Sequence, residues 1–387
     1  MSVRLVSAGA IRGKRVLLRA DFDVSRAGRR VLDDFRIRQH VPTIRFLLRH
    51  GGKIRVVAHL GRPGGRRVPS LSLRPLARVL SRAIGTPVRF VADPIHHVRQ
   101  DHRDISGVLL FENIRFWPGE EKNDRHFAGR LARWADVYVN EAFANSHRNH
   151  ASMAAVTNFL PAYAGFHLRT ELAMLKRVRH PRPPVVAILG GAKLETKLPL
   201  MEAFLARGGA VLVGGTLANT LFLARGLAIG KSVADHGFVR RLRRSTIYHS
   251  RLHLPVDLLV GRTAHGASRV VQAGAVGPSD TIFDIGPRTV AQFGAIISKA
   301  RTVIWNGPLG FVEVFRFSRG TLSVARRIRR SRGFRVVGGG DTVALLHHHR
   351  LLDGFSHVST GGGAMLAYLA GEKLPGLEAL KHGKHEA

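Results

Sequence analysis

The sequence predicts a two-domain α/β protein in which each domain is a parallel sheet flanked by helices. Three observations lead there. A chain of 387 residues is longer than one ordinary core fills, and two domains of roughly 150 to 200 residues are the natural division. Short apolar runs alternate with amphipathic segments, and the runs lack the in–out alternation of a sheet with one wet face, so they suit strands covered on both sides by crossover helices. The runs also end in two ways: in Arg, Asp, His and Asn in the first half, and in paired or tripled Gly in the second.

Taken in order, the first-half strands are expected in RVLLRADF, KIRVVAHLG, VLLFENIRF and VYVNEAF. Those of the second half are expected in VVAILGG, AVLVGG, VDLLVG, TVIWNG, RVVGGG and HVSTGG. Ligands of open parallel sheets gather beyond the carboxyl ends of the strands, so the residues that end each run carry the chemistry. By that rule the first half is built for side-chain contact with an anion, and the second for backbone contact with a nucleotide. Between them, FHLRTELAMLKRVRHPRPP reads as a connecting helix, with Leu168, Leu172, Leu175 and Val178 at helical spacing and Pro181, Pro183 and Pro184 as its stop.

Composition narrows the function classes. There is no cysteine, which excludes disulfides and thiolate catalysis and permits a reducing compartment. The first residues lack the apolar core of a signal peptide, and no run approaches the ~18 apolar residues of a membrane span, so a cytoplasmic protein without a membrane partner is expected. With 61 Lys and Arg against 26 Asp and Glu, the net charge is +35. Such a field attracts polyanions, phosphorylated metabolites and nucleic acid alike, and identifies only the sign of the partner.

The segments RADFD, HLGRP, ENIRFWPGEEKND, NEAFANSHRNHAS, ILGGAKLETK, WNGPLGFVE, VGGGDT and STGGGA together resemble the phosphoglycerate kinase family, segment after segment and in that family's order. The resemblance implies two Rossmann-like domains with an interdomain cleft. Residues 1–166, joined by a C-terminal return segment 371–387, would be the acid-substrate domain, 167–182 the interdomain helix and hinge, and 183–370 the nucleotide domain. It further implies reversible phosphoryl transfer between 1,3-bisphosphoglycerate and MgADP, giving 3-phosphoglycerate and MgATP, by a monomer. The alternative is a catalytically weakened member that binds nucleotide, or nucleic acid non-specifically, through its basic surface.

By resemblance, Arg19, Arg36, His59, Arg62, Arg115 and Arg148 form the substrate patch, with Asp21, Phe22, Asp23, Leu60 and Gly61 beside them. A multiply charged phosphoglycerate wants planar, permanently cationic forks that grip carboxylate and phosphate in pairs, which arginine supplies and lysine does not. Asp23 departs from the family, which has Asn there. An acceptor-only carboxylate facing an anion must be neutralised by a neighbouring Arg, cost affinity, or turn away. In NEAFANSHR, Glu141, Ala144 and Asn145 also depart from the family while His147 and Arg148 are kept, and His150 reads either as a proton carrier or as a packing residue.

On the nucleotide side the resemblance assigns Gly191, Ala192, Lys193 and Lys197. The two lysines share a face if a helix starts after Gly191, and the family places Lys197 on the nucleotide phosphates and Lys193 on the transferring group. Gly214 and Gly215 stand on the adenine side, where Thr216 replaces a glycine. Asn306, Gly307 and Pro308 stand beside the nucleotide, and Glu313 stands at the ribose. Gly339, Gly340, Asp341 and Thr342 follow a strand, and Asp341 is the expected Mg²⁺ ligand, because Mg²⁺ takes one or two protein carboxylates plus phosphates and waters. Gly361, Gly362 and Gly363 open a helix and aim N–H groups at a transferring phosphoryl. With Arg36 and Lys193 they make up the expected catalytic set. GLAIGKS is not a phosphate loop, because Arg225 occupies the position where that motif needs its first glycine, and His347, His348 and His349 point apart on a helix and read as surface.

Overall fold

The computed structural model describes residues 3–28, 30–96, 105–192, 194–242 and 244–383. The chain forms two compact units, residues 1–173 with 372–387 and residues 174–371. The dividing point falls inside the helix Phe166–Arg179, where Leu168, Leu175 and Val178 are buried.

In the first unit, β1 (Arg15–Arg19) is followed by a short hairpin of β2 (Arg26–Ala27) and β3 (Arg30–Val31), then by β4 (Lys53–Val57), β5 (Val88–Val91), β6 (Val108–Phe111), β7 (Val137–Asn140) and β8 (Ala162–Ala164). The six-stranded sheet runs β5-β6-β4-β1-β7-β8, and every pairing in it is parallel. Val16, Leu18, Ile54, Val56, Val108, Leu110, Val137 and Val139 share one core with Ile37, Ile44 and Leu47 of the helix Phe35–Arg49 and with Leu76, Leu80 and Ile84 of the helix Arg74–Ile84. Each such side chain contributes roughly 1.5 to 3 kcal/mol when fully buried. The C-terminal helix Pro375–His382 closes this unit, with the Gly376 N–H donating to the Ser146 carbonyl at 2.9 Å.

The second unit contains β9 (Val185–Leu189), β10 (Ala210–Val213), β11 (Leu252–His253), β12 (Asp257–Gly261), β13 (Ser268–Gln272), β14 (Thr281–Ile285), β15 (Thr302–Asn306), β16 (Phe334–Gly338) and β17 (His357–Val358). Its parallel sheet runs β11-β10-β9-β15-β16-β17, which is the doubly wound order of dinucleotide-binding folds. One expectation fails here. VDLLVG was expected as a strand of the parallel sheet, but β12 forms a separate antiparallel sheet with β13 and β14. The connection from β12 to β13 is too short for the crossover that parallel neighbours need, so the chain turns back beside itself.

Glu141, just past β7, ties the sheet to the helix Phe166–Arg179. Its carboxylate is fully buried, accepts from the Thr43 hydroxyl, and accepts from the N–H groups of His167 at 3.3 Å and Leu168 at 3.0 Å. A carboxylate on the first turn satisfies free donors and meets the positive end of the helix dipole. The longer side chain has its space because Gly165 has no Cβ; one built there would stand 2.3 Å from the Glu141 carboxyl carbon.

Burial pushes the Glu141 carboxyl up to about 7 against the pull of these hydrogen bonds. The folded state therefore holds a proton that the unfolded chain has released, and stability from this group falls as pH rises from the ordinary glutamate range through 7. The difference amounts to about 3 kcal/mol. Glu141→Gln, which cannot ionise, is expected to flatten the dependence of unfolding free energy on pH between 5 and 7.5, read by urea unfolding at several pH values. A variant whose slope matches the parent's refutes the assignment.

Candidate active site

In the first unit the strand order reverses between β1 and β7, and the register sets Arg19 level with Asn140 on one side and Val57 on the other. Such a reversal point is the usual ligand position of parallel sheets. Arg19 ends β1 and is fully buried. Its Nε donates to Ser152 Oγ at 2.7 Å, and Ser152 in turn donates to Glu120 at 2.6 Å. Arg115 donates to the Gly61 carbonyl at 2.8 Å and stands 3.6 Å from Glu121. Arg36 is paired with Asp21. Although burial would raise the Asp21 carboxyl, Arg36, His59 and His40 outweigh it and hold the group well below the usual range.

The cations crowd one another. Burial, with Arg148 and Arg19 adding repulsion, brings the Arg115 guanidinium down to about 10. Arg148 is lowered by burial and by Arg62. Burial and the same arginines push His59 well below its ordinary value, His147 to about 4 and His150 to about 3. These histidines are therefore neutral near pH 7, which favours packing over proton carriage for His150. Several guanidinium nitrogens, Arg19 Nη2 and Arg115 Nε and Nη2, are buried without a hydrogen-bond partner. A pocket of mutually repelling cations with unused donors gains most from a multiply charged anion.

Phe22 and Leu60 are buried beside this group, and Asp23 lies within it. One Asp23 oxygen accepts from the Gly61 N–H at 2.9 Å, the other is 3.9 Å from His59, and its charge acts on both Arg36 and Arg148. Of the three outcomes left open for it, the geometry matches neutralisation by neighbouring arginines. Sequence reading passed over Glu120, Ser152 and Asn113, the last of which donates to the Leu60 carbonyl at 2.7 Å and fixes the loop after β4. No local pattern marks them, since each acts on a partner far along the chain.

In the second unit the strand order reverses between β9 and β15, and the loops leaving them touch backbone to backbone. The Gly191 N–H donates to the Pro308 carbonyl at 2.8 Å and the Gly190 N–H to the Asn306 carbonyl at 3.0 Å. A Cβ on Gly190 would stand 2.0 Å from the Pro308 oxygen, and one on Gly307, at φ +91°, would stand 2.2 Å from the Gly190 oxygen. Only glycine allows this crossing.

A cavity of about 510 Å³ opens beside the crossing. Of the expected residues, Gly191, Ala192, Gly215, Pro308, Glu313 and Asp341 line it, and Leu258, Phe283, Ile285 and Phe311 give it an apolar wall. Val233 and Phe311, 70% and 41% exposed, leave apolar surface at its rim for a flat ring to cover. Lys197 is buried, and a Cβ on Gly191 would stand 3.3 Å from its Nζ. Lys193 lies outside the described residues.

The remaining expected residues stand at the same carboxyl edge of the sheet without lining the cavity. Gly214 caps the helix Gly215–Ala224. Asn306 and Gly307 end and follow β15, while Gly339, Gly340 and Thr342 follow β16. Gly361, Gly362 and Gly363 follow β17 at the start of the helix Gly362–Ala370, where Ser359 Oγ accepts from the Gly361 N–H at 3.1 Å. Asn306 Nδ2 and Thr342 Oγ1 are buried without partners, as donors meant for phosphate oxygens would be. Asp341 is exposed on the first turn of the helix Gly340–His348 and makes no salt bridge among the described residues. A lone, free carboxylate beside such donors fits a Mg²⁺ ion that takes its other ligands from phosphates and water.

Comparison with known proteins identifies the family. Residues 6–372 match the family model described as phosphoglycerate kinase. The chain is 45% identical over 386 residues to the phosphoglycerate kinase of Rubrobacter xylanophilus, covering 98% of each. It is 40% identical over 395 residues to that of Bartonella quintana, covering 98% of this chain and all of the other. Among solved structures, phosphoglycerate kinase from Pyrococcus horikoshii superposes with a TM-score of 0.87 at 31% identity, covering 96% of this chain and 97% of the other. That from Coxiella burnetii gives 0.81 at 35%, covering 97% and 98%.

Gly190→Ala drives a methyl group into the Pro308 carbonyl and is expected to destabilise the second unit by about 3 kcal/mol and to weaken ADP binding at least tenfold. Thermal melting and calorimetric titration with ADP read the two effects, and an unchanged dissociation constant excludes the crossing as part of the nucleotide site.

Proposed function

The chain belongs to the phosphoglycerate kinase family, and from that premise we propose that its first unit holds the phosphoglycerate while its second holds the nucleotide. The activity is reversible transfer of a phosphoryl group between the acyl phosphate of 1,3-bisphosphoglycerate and ADP, with a carboxyl group as acceptor in the reverse direction. The observation that carries the division of labour is the contrast between the two sheet ends, crowded arginines on one and glycine backbone beside an apolar cavity on the other.

The acceptor is a carboxylate already ionised at neutral pH, so no general base is needed, and catalysis reduces to alignment, charge neutralisation and exclusion of water. In this reading Arg19, Arg62, Arg115 and Arg148 grip the acid and its distal phosphate, and Arg36, oriented by Asp21, faces the reacting carboxylate. Lys197 and the N–H groups of Gly361, Gly362 and Gly363 meet the phosphates, where one lost donor costs ~3 kcal/mol in barrier at comparable sites. Glu313 accepts from the ribose hydroxyls. Asp341 would hold Mg²⁺, which when bound neutralises nucleotide phosphate charge. Because the acid and the nucleotide belong to different units, transfer also requires the units to bring them together.

A coupled assay with 3-phosphoglycerate and MgATP tests the activity, and absence of turnover refutes it. Arg148→Lys is expected to raise KM for 3-phosphoglycerate about tenfold with the fold intact, because a point charge replaces a paired grip. Asp23→Asn keeps an oxygen for the Gly61 N–H and removes a negative charge, so KM for the acid is expected to fall severalfold while KM for ATP holds; a rise in the acid's KM sinks the pocket assignment for Asp23. Asp341→Asn is expected to raise the Mg²⁺ concentration for half-maximal rate about tenfold.

A further inference from the structure

The second unit has another cavity, of about 1070 Å³, at the opposite end of its sheet from the nucleotide site. It lies where β15 and β16 begin rather than where they end. Arg301 precedes β15, Arg335 is the second residue of β16, and Arg182 precedes β9. Arg177 comes from the helix Phe166–Arg179 and Lys299 caps the helix Pro287–Ser298. Arg327, Arg330 and Arg332 come from the end of the helix Arg319–Arg330 and the turn after it. Eight cationic side chains thus line one concavity that contains no carboxylate.

Two local explanations for so many cations fall short. Ion pairing is the first, yet among the described residues none of the eight lies within 4.0 Å of a carboxylate; the nearby Asp353 is taken by Arg329 at 2.9 Å, outside the cavity lining. Neutralisation of helix ends is the second. Three helices end here, and Arg335 does cap one of them, donating to the carbonyls of Ser331 at 2.6 Å and Arg329 at 3.2 Å. A helix end carries roughly half a negative charge, so three of them offset about one and a half charges and leave most of the eight uncancelled. The wall also includes the Ser298, Ser331 and Ser356 hydroxyl groups, further donors for anionic oxygens.

We propose that this cavity is a second anion site, separate from the catalytic one, that takes a short linear polyphosphate. A chain with a charge on every unit and nothing else to house fits a concave wall of guanidinium forks. Single-stranded nucleic acid fits it poorly. Binding of that kind uses free aromatic faces for the bases, and Phe334, the one aromatic residue in the lining, already carries Arg177 3.9 Å above its ring.

The test is calorimetric titration of the full chain with inorganic tripolyphosphate, the nucleotide site being filled with ADP. Saturable binding of one equivalent is expected. The triple variant Arg301→Gln, Arg330→Gln, Arg332→Gln changes only exposed side chains and is expected to weaken it at least tenfold with turnover unchanged. A charge-matched control, Arg49→Gln, Arg78→Gln, Arg82→Gln on exposed helix positions of the first unit, is expected to leave binding unaltered. Equal losses in both variants mean a diffuse field of the whole surface and overturn the proposal. So does loss of binding when ADP is added, which places the polyphosphate in the nucleotide site, or a DNA duplex that binds through the same three arginines more tightly than tripolyphosphate. Should the triple variant melt early, Arg332→Gln alone is expected to weaken binding severalfold, and no change there is equally fatal.

Discussion

The site rests on the point in each unit where a parallel sheet reverses its strand order. At β1 and β7 in the first unit, and at β9 and β15 in the second, adjacent strands end level and the connections that follow leave for opposite faces of the sheet. Arg19, Asp21 and Arg148 of the proposed acid site, and Gly191, Lys197, Asn306 and Glu313 of the proposed nucleotide site, follow from those four strand ends. The same topological feature is filled with two chemistries, guanidinium groups anchored by buried acids in one case and glycine backbone in the other. Sheet geometry gives the place, and the terminating residues give the selectivity.

Electrostatics in the first unit is a matter of burial as much as of charge. A surface arginine in a chain of this composition is unremarkable, whereas Arg19, Arg55 and Arg115 are among the largest fully buried side chains of the protein. Desolvating a cation is expensive unless its donors are met. Arg19 is met in part by Ser152 and, behind it, by Glu120, whose own carboxyl is raised by burial against the pull of Arg19 and Ser152. The donors that remain unmet, Arg19 Nη2 and Arg115 Nε and Nη2, are left for an anion of the kind proposed. Such a pocket is held ready at the expense of stability, a common bargain at functional sites.

Two acids that depart from the family's usual residues have different consequences. Asp23 keeps a hydrogen bond to the loop after β4 and sits among arginines that mask its charge. The Glu141 N–H donates to the Arg19 carbonyl at 2.9 Å, but its carboxylate closes the end of β7 against the helix Phe166–Arg179 and links that junction to pH. One alters the local field of a binding pocket, and the other alters how a helix is seated.

The sequence alone determined the parallel α/β architecture, the connecting helix and the glycine-ended runs, because these depend on patterns within a few residues of one another: apolar runs too short for helices, leucines at helical spacing, glycines at strand ends. It also determined the family, through eight motifs in order. Tertiary structure decided what depends on distant partners. The separate antiparallel sheet of β12, β13 and β14 was hidden because an apolar run carries no sign of its neighbour's direction. Glu120, Ser152 and Asn113 were hidden because their partners lie tens of residues away or more. The fate of Asp23 was left open for the same reason, since a carboxylate's effect on an anion is set by which cations stand around it, and only the folded chain brings Arg36, His59 and Arg148 to its side.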